Sequence, residues 1–120
     1  MSSLPLTNYL RSHRKRLALT QEEVAFLLGV KGMDKGIKVC RDEGLVREPS
    51  LATALAYEVI YQRPLRELFA GMYEEIEREV AARTKLLGLR KERTTGARAA
   101  YRRQVLADMV VRLSENTLKS

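Results

Sequence analysis

The chain has 120 residues, of which 45% are hydrophobic and 31% charged, with a formal net charge of +7 and a pI of about 9.9. That length suits one compact domain with a small appended element and argues against two independent cores. The single cysteine excludes an intrachain disulfide and points to a reducing cytoplasm. No run of about 18 apolar residues offers a membrane span, and residues 1–7 lack the basic-then-apolar pattern of a secretory signal. The positive balance points to a polyanionic partner, with nucleic acid the simplest candidate.

Leu6, Leu10 and Leu17, with Tyr9 and the stem of Arg14 beside them, place one apolar stripe on a first helix. Arg11, Lys15 and Arg16 decorate the rest of it. His13 lies near that stripe as a half-exposed helical residue with no second ligand at metal-binding spacing. Thr20 predicts a sharp helix start: its hydroxyl can accept the Glu23 amide while Glu23 reaches back, and Leu19 can staple onto Val24. This second helix is expected to bury Val24, Leu27 and Leu28 and to stop at Gly29, where only glycine turns the chain without steric cost.

Gly32 and Gly36 argue for a loop, so the third helix is expected to begin near Asp34 and run through Ile37, Val39 and Cys40 to about Glu43, with Gly44 ending it. Leu45 and Val46 then connect to Pro49-Ser50, which opens a fourth helix with Leu51, Ala54, Leu55, Val59 and Ile60 as a wide apolar face. Pro64 starts a short fifth helix holding Leu65, Leu68 and Phe69, and Gly71 closes it. From Met72 a further helix carries Tyr73, Ile76, Val80 and Leu87. It begins acidic and ends basic, as the helix dipole favours, and frays by Gly88. Leu89 to Arg98 reads as a basic linker around Thr94-Thr95-Gly96. The last helix spans about Ala97 to Glu115, with Val105, Leu106, Met109, Val110 and Leu113 on one side, and residues 116–120 are expected to be disordered. With no strand-like alternation and no repeat, the fold class is all-α.

Leu19 to Val30 (Leu-Thr-Gln-Glu-Glu-Val-Ala-Phe-Leu-Leu-Gly-Val) resembles the phage-repressor-like (XRE, Cro-like) helix-turn-helix family. The similarity continues through Val39-Cys40-Arg41-Asp42-Glu43, Pro49-Ser50-Leu51 and Pro64-Leu65-Arg66-Glu67-Leu68-Phe69. The resemblance implies a five-helix DNA-binding domain over residues 1–71 and a helical extension over 72–120 that forms a dimer or caps the core. It also implies sequence-specific binding of double-stranded DNA as a homodimeric transcriptional regulator. Residue by residue, Gln21 would contact phosphate. Lys38 and Arg41 would face the groove and reach base edges, Lys31 and Lys35 would flank the entry to that helix, and Arg47 would reach the backbone beyond it. The alternative for each is a solvated surface charge.

Several features depart from the family pattern. The stretch from Val30 to Val39 is about one helical turn longer than the family's turn. Asp42 stands where the family has an inward-packing apolar or aromatic residue, and a carboxylate there has to find a partner or stay in water. Gly44 and Leu45 replace a more polar pair. Cys40 occupies the family's serine position, as an inert small helical residue or as a thiol switch beside Lys38 and Arg41.

One histidine, one cysteine and no glycine-rich phosphate loop leave no catalytic or cofactor-binding constellation, so neither enzymatic activity nor a cofactor is expected. Two other functions fit the same residues: a protein-interaction module, such as an antitoxin or a mobile-element adaptor, with weakened DNA binding, and a nucleic-acid binder of low specificity using Arg90 to Arg103.

Overall fold

The corners of this chain are set by local hydrogen bonds. In the computed structural model, which describes residues 7–32, 35–45, 48–90 and 95–118, α1 (Leu10–Arg16) begins where the Asn8 side-chain oxygen accepts the Leu10 amide at 3.1 Å. It ends with Ala18 in the left-handed region (φ 59°). There the Ala18 amide donates to the Lys15 carbonyl and the Leu19 amide to the Arg14 carbonyl, the paired bonds of a Schellman corner. The next helix, α2 (Gln21–Leu28), has the expected capping box: the Glu23 amide donates to Thr20 Oγ1 at 3.0 Å and the Thr20 amide to Glu23 Oε1 at 2.8 Å. Its far end repeats the same corner. Gly29 sits at φ 80°, its amide donating to Phe26 and that of Val30 to Ala25, both at 3.0 Å, and Val30 packs against the core.

The remaining helices are α3 (Lys35–Gly44), α4 (Leu51–Tyr61), α5 (Leu65–Leu68), α6 (Ala70–Leu89) and α7 (Ala97–Leu118). Among the described residues no strand occurs and no helix is long and apolar enough to cross a membrane, so the fold is all-α. The chain divides into two compact units, Met1–Met72 and Tyr73–Ser120.

In the first unit, Leu10, Val24, Ala25, Val39, Tyr57, Tyr61, Leu68 and Phe69 form one core, with Leu19, Leu28, Ala54, Ile60, Leu65 and Met72 packed on it. A polar node ties its first three helices together. The Arg14 guanidinium meets the Glu43 carboxylate through Nε at 2.6 Å and Nη2 at 3.2 Å, and donates from Nη1 to the Leu19 carbonyl at 3.0 Å. The two side chains are only 12% and 5% exposed, and the bond to Glu43 raises the Arg14 pKa further. The segment before α1 is pinned to the other end of the unit, the Tyr9 amide donating to the Leu68 carbonyl and that of Met72 to Thr7.

Several expectations need correction. Leu27 is exposed, and Ala25 takes its place in the core. Leu17 lies past the end of α1 and is exposed as well. On α4, Leu51 and Val59 are 72% and 75% exposed and Leu55 is also exposed, while Tyr57 and Tyr61 are buried. Apolar residues surround this helix, and Tyr57 takes the inner face where its hydroxyl meets the Asp42 carboxylate, with Tyr61 stacked on it. Gly71 stops nothing: α5 ends at Phe69 (φ −120°), and Gly71 lies inside the first turn of α6. The last helix runs on to Leu118. Leu6, Asp34 as helix cap and Val46 lie outside the described residues.

In the second unit, Gly96 (φ 108°) precedes α7. Thr84, Ala99 and Leu113 are buried, whereas Ile76, Val80, Leu87, Tyr101, Val105 and Val111 are exposed. The Thr84 hydroxyl donates to the Val80 carbonyl one turn back.

The sole histidine stacks on Tyr61 with ring centroids 6.3 Å apart, and its Nδ1 is buried without a hydrogen-bond partner. Desolvation and then the nearby Arg16 charge lower its pKa below 6.5. The unfolded chain therefore takes up this proton first as pH falls, so the folded state loses stability as pH drops through about 6.5 and regains it above. Urea unfolding between pH 5.5 and 7.5 is expected to show this slope, and His13→Gln to flatten it. An unchanged slope in the variant would show that the ring is not desolvated on folding.

Candidate nucleic-acid interface

The N-terminal turn of α2 and the outer face of α3 lie together because α2 and α3 pack more extensively on each other than any other pair of helices. At Gly36 a Cβ would lie 3.5 Å from Glu22 Cγ and 3.8 Å from Gln21 Cβ, ordinary van der Waals contact, so the two helices meet closely here without requiring a glycine. The long connection is accommodated by the Gly29 corner and by Gly32 at φ 110°.

The inner face of α3 is held by Val39, Asp42 and Glu43. Asp42, 4% exposed, finds the partner that its position demands: the Tyr57 hydroxyl donates to Oδ2 at 2.7 Å, and Lys38 Nζ lies 3.5 Å from the same oxygen. The Asn8 amide also donates to the Asp42 backbone carbonyl at 3.1 Å. Burial first, and then the bond to Asp42, push the Tyr57 hydroxyl far above the ordinary phenol range, so it stays a neutral donor. Tyr61 stacks on Tyr57 at 5.8 Å. Its own hydroxyl is buried without a hydrogen-bond partner, and desolvation raises its pKa too.

The outer face of α3 carries Ile37, Cys40 and Arg41, all exposed, with Lys38 half-buried at its edge. Ile37, Lys38 and Arg41 border one open depression with Asp42, Glu48, Pro49 and Ser50. Gln21 faces a different concavity with Arg11, Arg14, Thr20, Cys40 and Glu43, and its carboxamide donates to Glu43 Oε1 at 3.1 Å. Lys31 is exposed in the connection, and Lys35 is the first residue of α3. Arg47 lies outside the described residues. The structure thus brings Lys38 and Arg41 together on one surface and turns Gln21 toward the Arg14–Glu43 node.

Sequence reasoning missed two contributors. Ile37 presents an apolar side chain beside the two cations, and Tyr57 anchors the helix that carries them. Asp42 itself was the available signal for Tyr57, because a carboxylate on the inner face of a helix requires a donor somewhere in the core. Among the described residues no group of three or more His, Cys, Asp or Glu side chains is placed to hold a metal ion. No protein-family model, curated protein or solved structure matches the chain.

Tyr57→Phe removes the donor and leaves the Asp42 carboxylate buried with Lys38 alone, which is expected to cost about 1–3 kcal/mol in urea unfolding. Adding Asp42→Leu removes the stranded charge, so the double variant is expected to recover most of that loss. Additive losses in the double variant would show that the pair is not coupled.

Proposed function

We propose that this chain is a sequence-specific duplex-DNA-binding regulator of the phage-repressor-like helix-turn-helix family, with α3 as the helix that enters the major groove. The observation that carries the reading is the two-sidedness of α3. Its inner face is fixed by Asp42 to Tyr57 and by Glu43 to Arg14, and its outer face offers Ile37, Lys38 and Arg41. A rigidly held helix with exposed cations is what base-edge recognition needs, because a guanidinium has to meet guanine O6 and N7 as a flat, two-pronged donor. Arg41 is assigned that contact and Lys38 a neighbouring one, and Ile37 suits a thymine methyl group.

Lys31 and Lys35, and Arg47 beyond α3, supply phosphate contacts in this reading. Gln21 remains compatible with one, since its carboxamide has two N–H donors and only one is engaged by Glu43. The α2 N-terminus beside it adds oriented amides and the positive end of a helix dipole. Lys38 is restrained only weakly by Asp42, because an ion pair at 3.5 Å whose lysine is 38% exposed contributes little.

A single helix in one groove contacts few base pairs, so the reading includes a homodimer on a two-fold site, formed in the reducing cytoplasm. The exposed apolar residues Ile76, Val80 and Leu87 of α6 support a surface for pairing. The second reading, a protein-interaction module with weakened DNA binding, is favoured by a different observation: Leu51, Leu55 and Val59 are exposed at four-residue spacing along one side of α4.

Selection from randomised duplexes by the purified chain is expected to return one preferred site. Arg41→Ala is expected to reduce the preference for it at one base pair by about tenfold or more, as loss of a bidentate contact of about 1–3 kcal/mol implies. Uniform, purely salt-dependent binding by the parent chain, or an unaltered preference in a folded Arg41→Ala protein, would overturn the proposal.

A further inference from the structure

The second unit has its own concentration of positive charge. Between residues 83 and 103 stand Arg83, Lys85, Arg90, Lys91, Arg93, Arg98, Arg102 and Arg103 against a single carboxylate, Glu92. The preceding turns of α6, with Glu74, Glu75, Glu77 and Glu79, are acidic. Helix dipole and solubility account for much of this separation, but not for three arginines bordering one hollow. Arg90, immediately after α6, and Arg102 and Arg103 on α7 border a single concavity of about 390 Å³ together with Gly88, Leu106 and Ala107, and none of these six lining residues is acidic.

Three guanidiniums on one concave wall draw an anion toward the hollow. Guanidinium forks match the oxygens of a phosphodiester, and neighbouring guanidiniums can grip adjacent phosphates. Gly88 leaves the hollow open, for a Cβ there meets nothing within 4 Å.

We infer that this arginine-lined hollow is a second, sequence-independent binding surface for the phosphates of duplex DNA. The inference rests on the duplex-binding reading above and adds a division of labour: α3 discriminates between sequences, while the second unit supplies affinity that is indifferent to them. Because the two units share one chain, each contact raises the effective concentration of the other. Phosphate contacts release counterions, so the hollow is legible in the salt dependence of binding even where no base is read.

The test uses the full chain and two fluorescent duplexes of about 20 base pairs, one with the selected site and one scrambled, titrated between about 50 and 200 mM salt. The triple variant Arg90→Gln, Arg102→Gln, Arg103→Gln is expected to keep the ratio of affinities between the two duplexes. It should bind both more weakly, and its log–log salt slope should be shallower by about two to three, so that the affinity lost across that salt range shrinks by about 40-fold. Gly88→Glu, which keeps every arginine and places a carboxylate in open space, is expected to weaken both duplexes alike. Far-UV circular dichroism identifies a variant that fails to fold, and the other then decides. Unchanged affinity and slope in a folded variant, or loss of the sequence preference, would overturn this inference alone. Failure of the parent chain to bind any duplex would overturn it together with the proposed function.

Discussion

The Arg14–Glu43 pair is the constraint from which the first unit takes its shape. Four hydrogen bonds converge on it: two between the partners, one from Arg14 to the Leu19 carbonyl and one from Gln21 to Glu43. They join α1, the corner after it, the first turn of α2 and the last turn of α3. A buried ion pair is a poor source of net stability, because desolvation offsets much of the attraction. Its value here is geometric. Losing either partner strands a charge beneath the first three helices at a cost of about 3–5 kcal/mol, so α3 cannot roll or slide without breaking the node. An apolar contact would tolerate either movement.

A second polar contact settles which way α4 faces. Burying Leu51, Leu55 and Val59 would gain about 1.5–3 kcal/mol for each. Burying the Tyr57 and Tyr61 rings gains an amount of the same order. The Tyr57 hydroxyl also satisfies the Asp42 carboxylate. The tyrosines win, and the aliphatic row goes to the surface. One aspartate on α3 thus determines both the inner face of α4 and the exposed apolar row that favours the protein-contact reading. His13, stacked outside Tyr61, extends the same polar seam to a ring whose pKa burial lowers.

Features determined by a few adjacent residues were legible in the sequence: the Thr20 capping box, the Gly29 corner, the Ser50 cap and the start of the short helix after Pro64. Helix ends set by left-handed residues other than glycine were not. Ala18, Leu45 and Gln62 hold such conformations, and nothing in their chemistry announces it, whereas Gly71 announced a stop that the helix ignores. Facing was the other failure. Apolar periodicity marks a buried side only when the opposite side is polar, which is untrue of α2 and α4, where Phe26, Leu27, Leu51 and Val59 are left in water. At the candidate interface, the sequence resemblance brought out Lys38 and Arg41. The positions of Gln21 and Tyr57 depend on Glu43 and Asp42, which meet them only after folding.

The central claim is that α3, clamped from within, offers its outer face to a duplex. Backbone amide shifts recorded by nuclear magnetic resonance while the selected duplex is added test it most directly. The account predicts that in the first unit the largest changes fall on Ile37, Lys38 and Arg41, with smaller ones at the start of α2, while Leu51, Leu55 and Val59 stay still. Changes centred on that α4 row, with α3 unmoved, would contradict it.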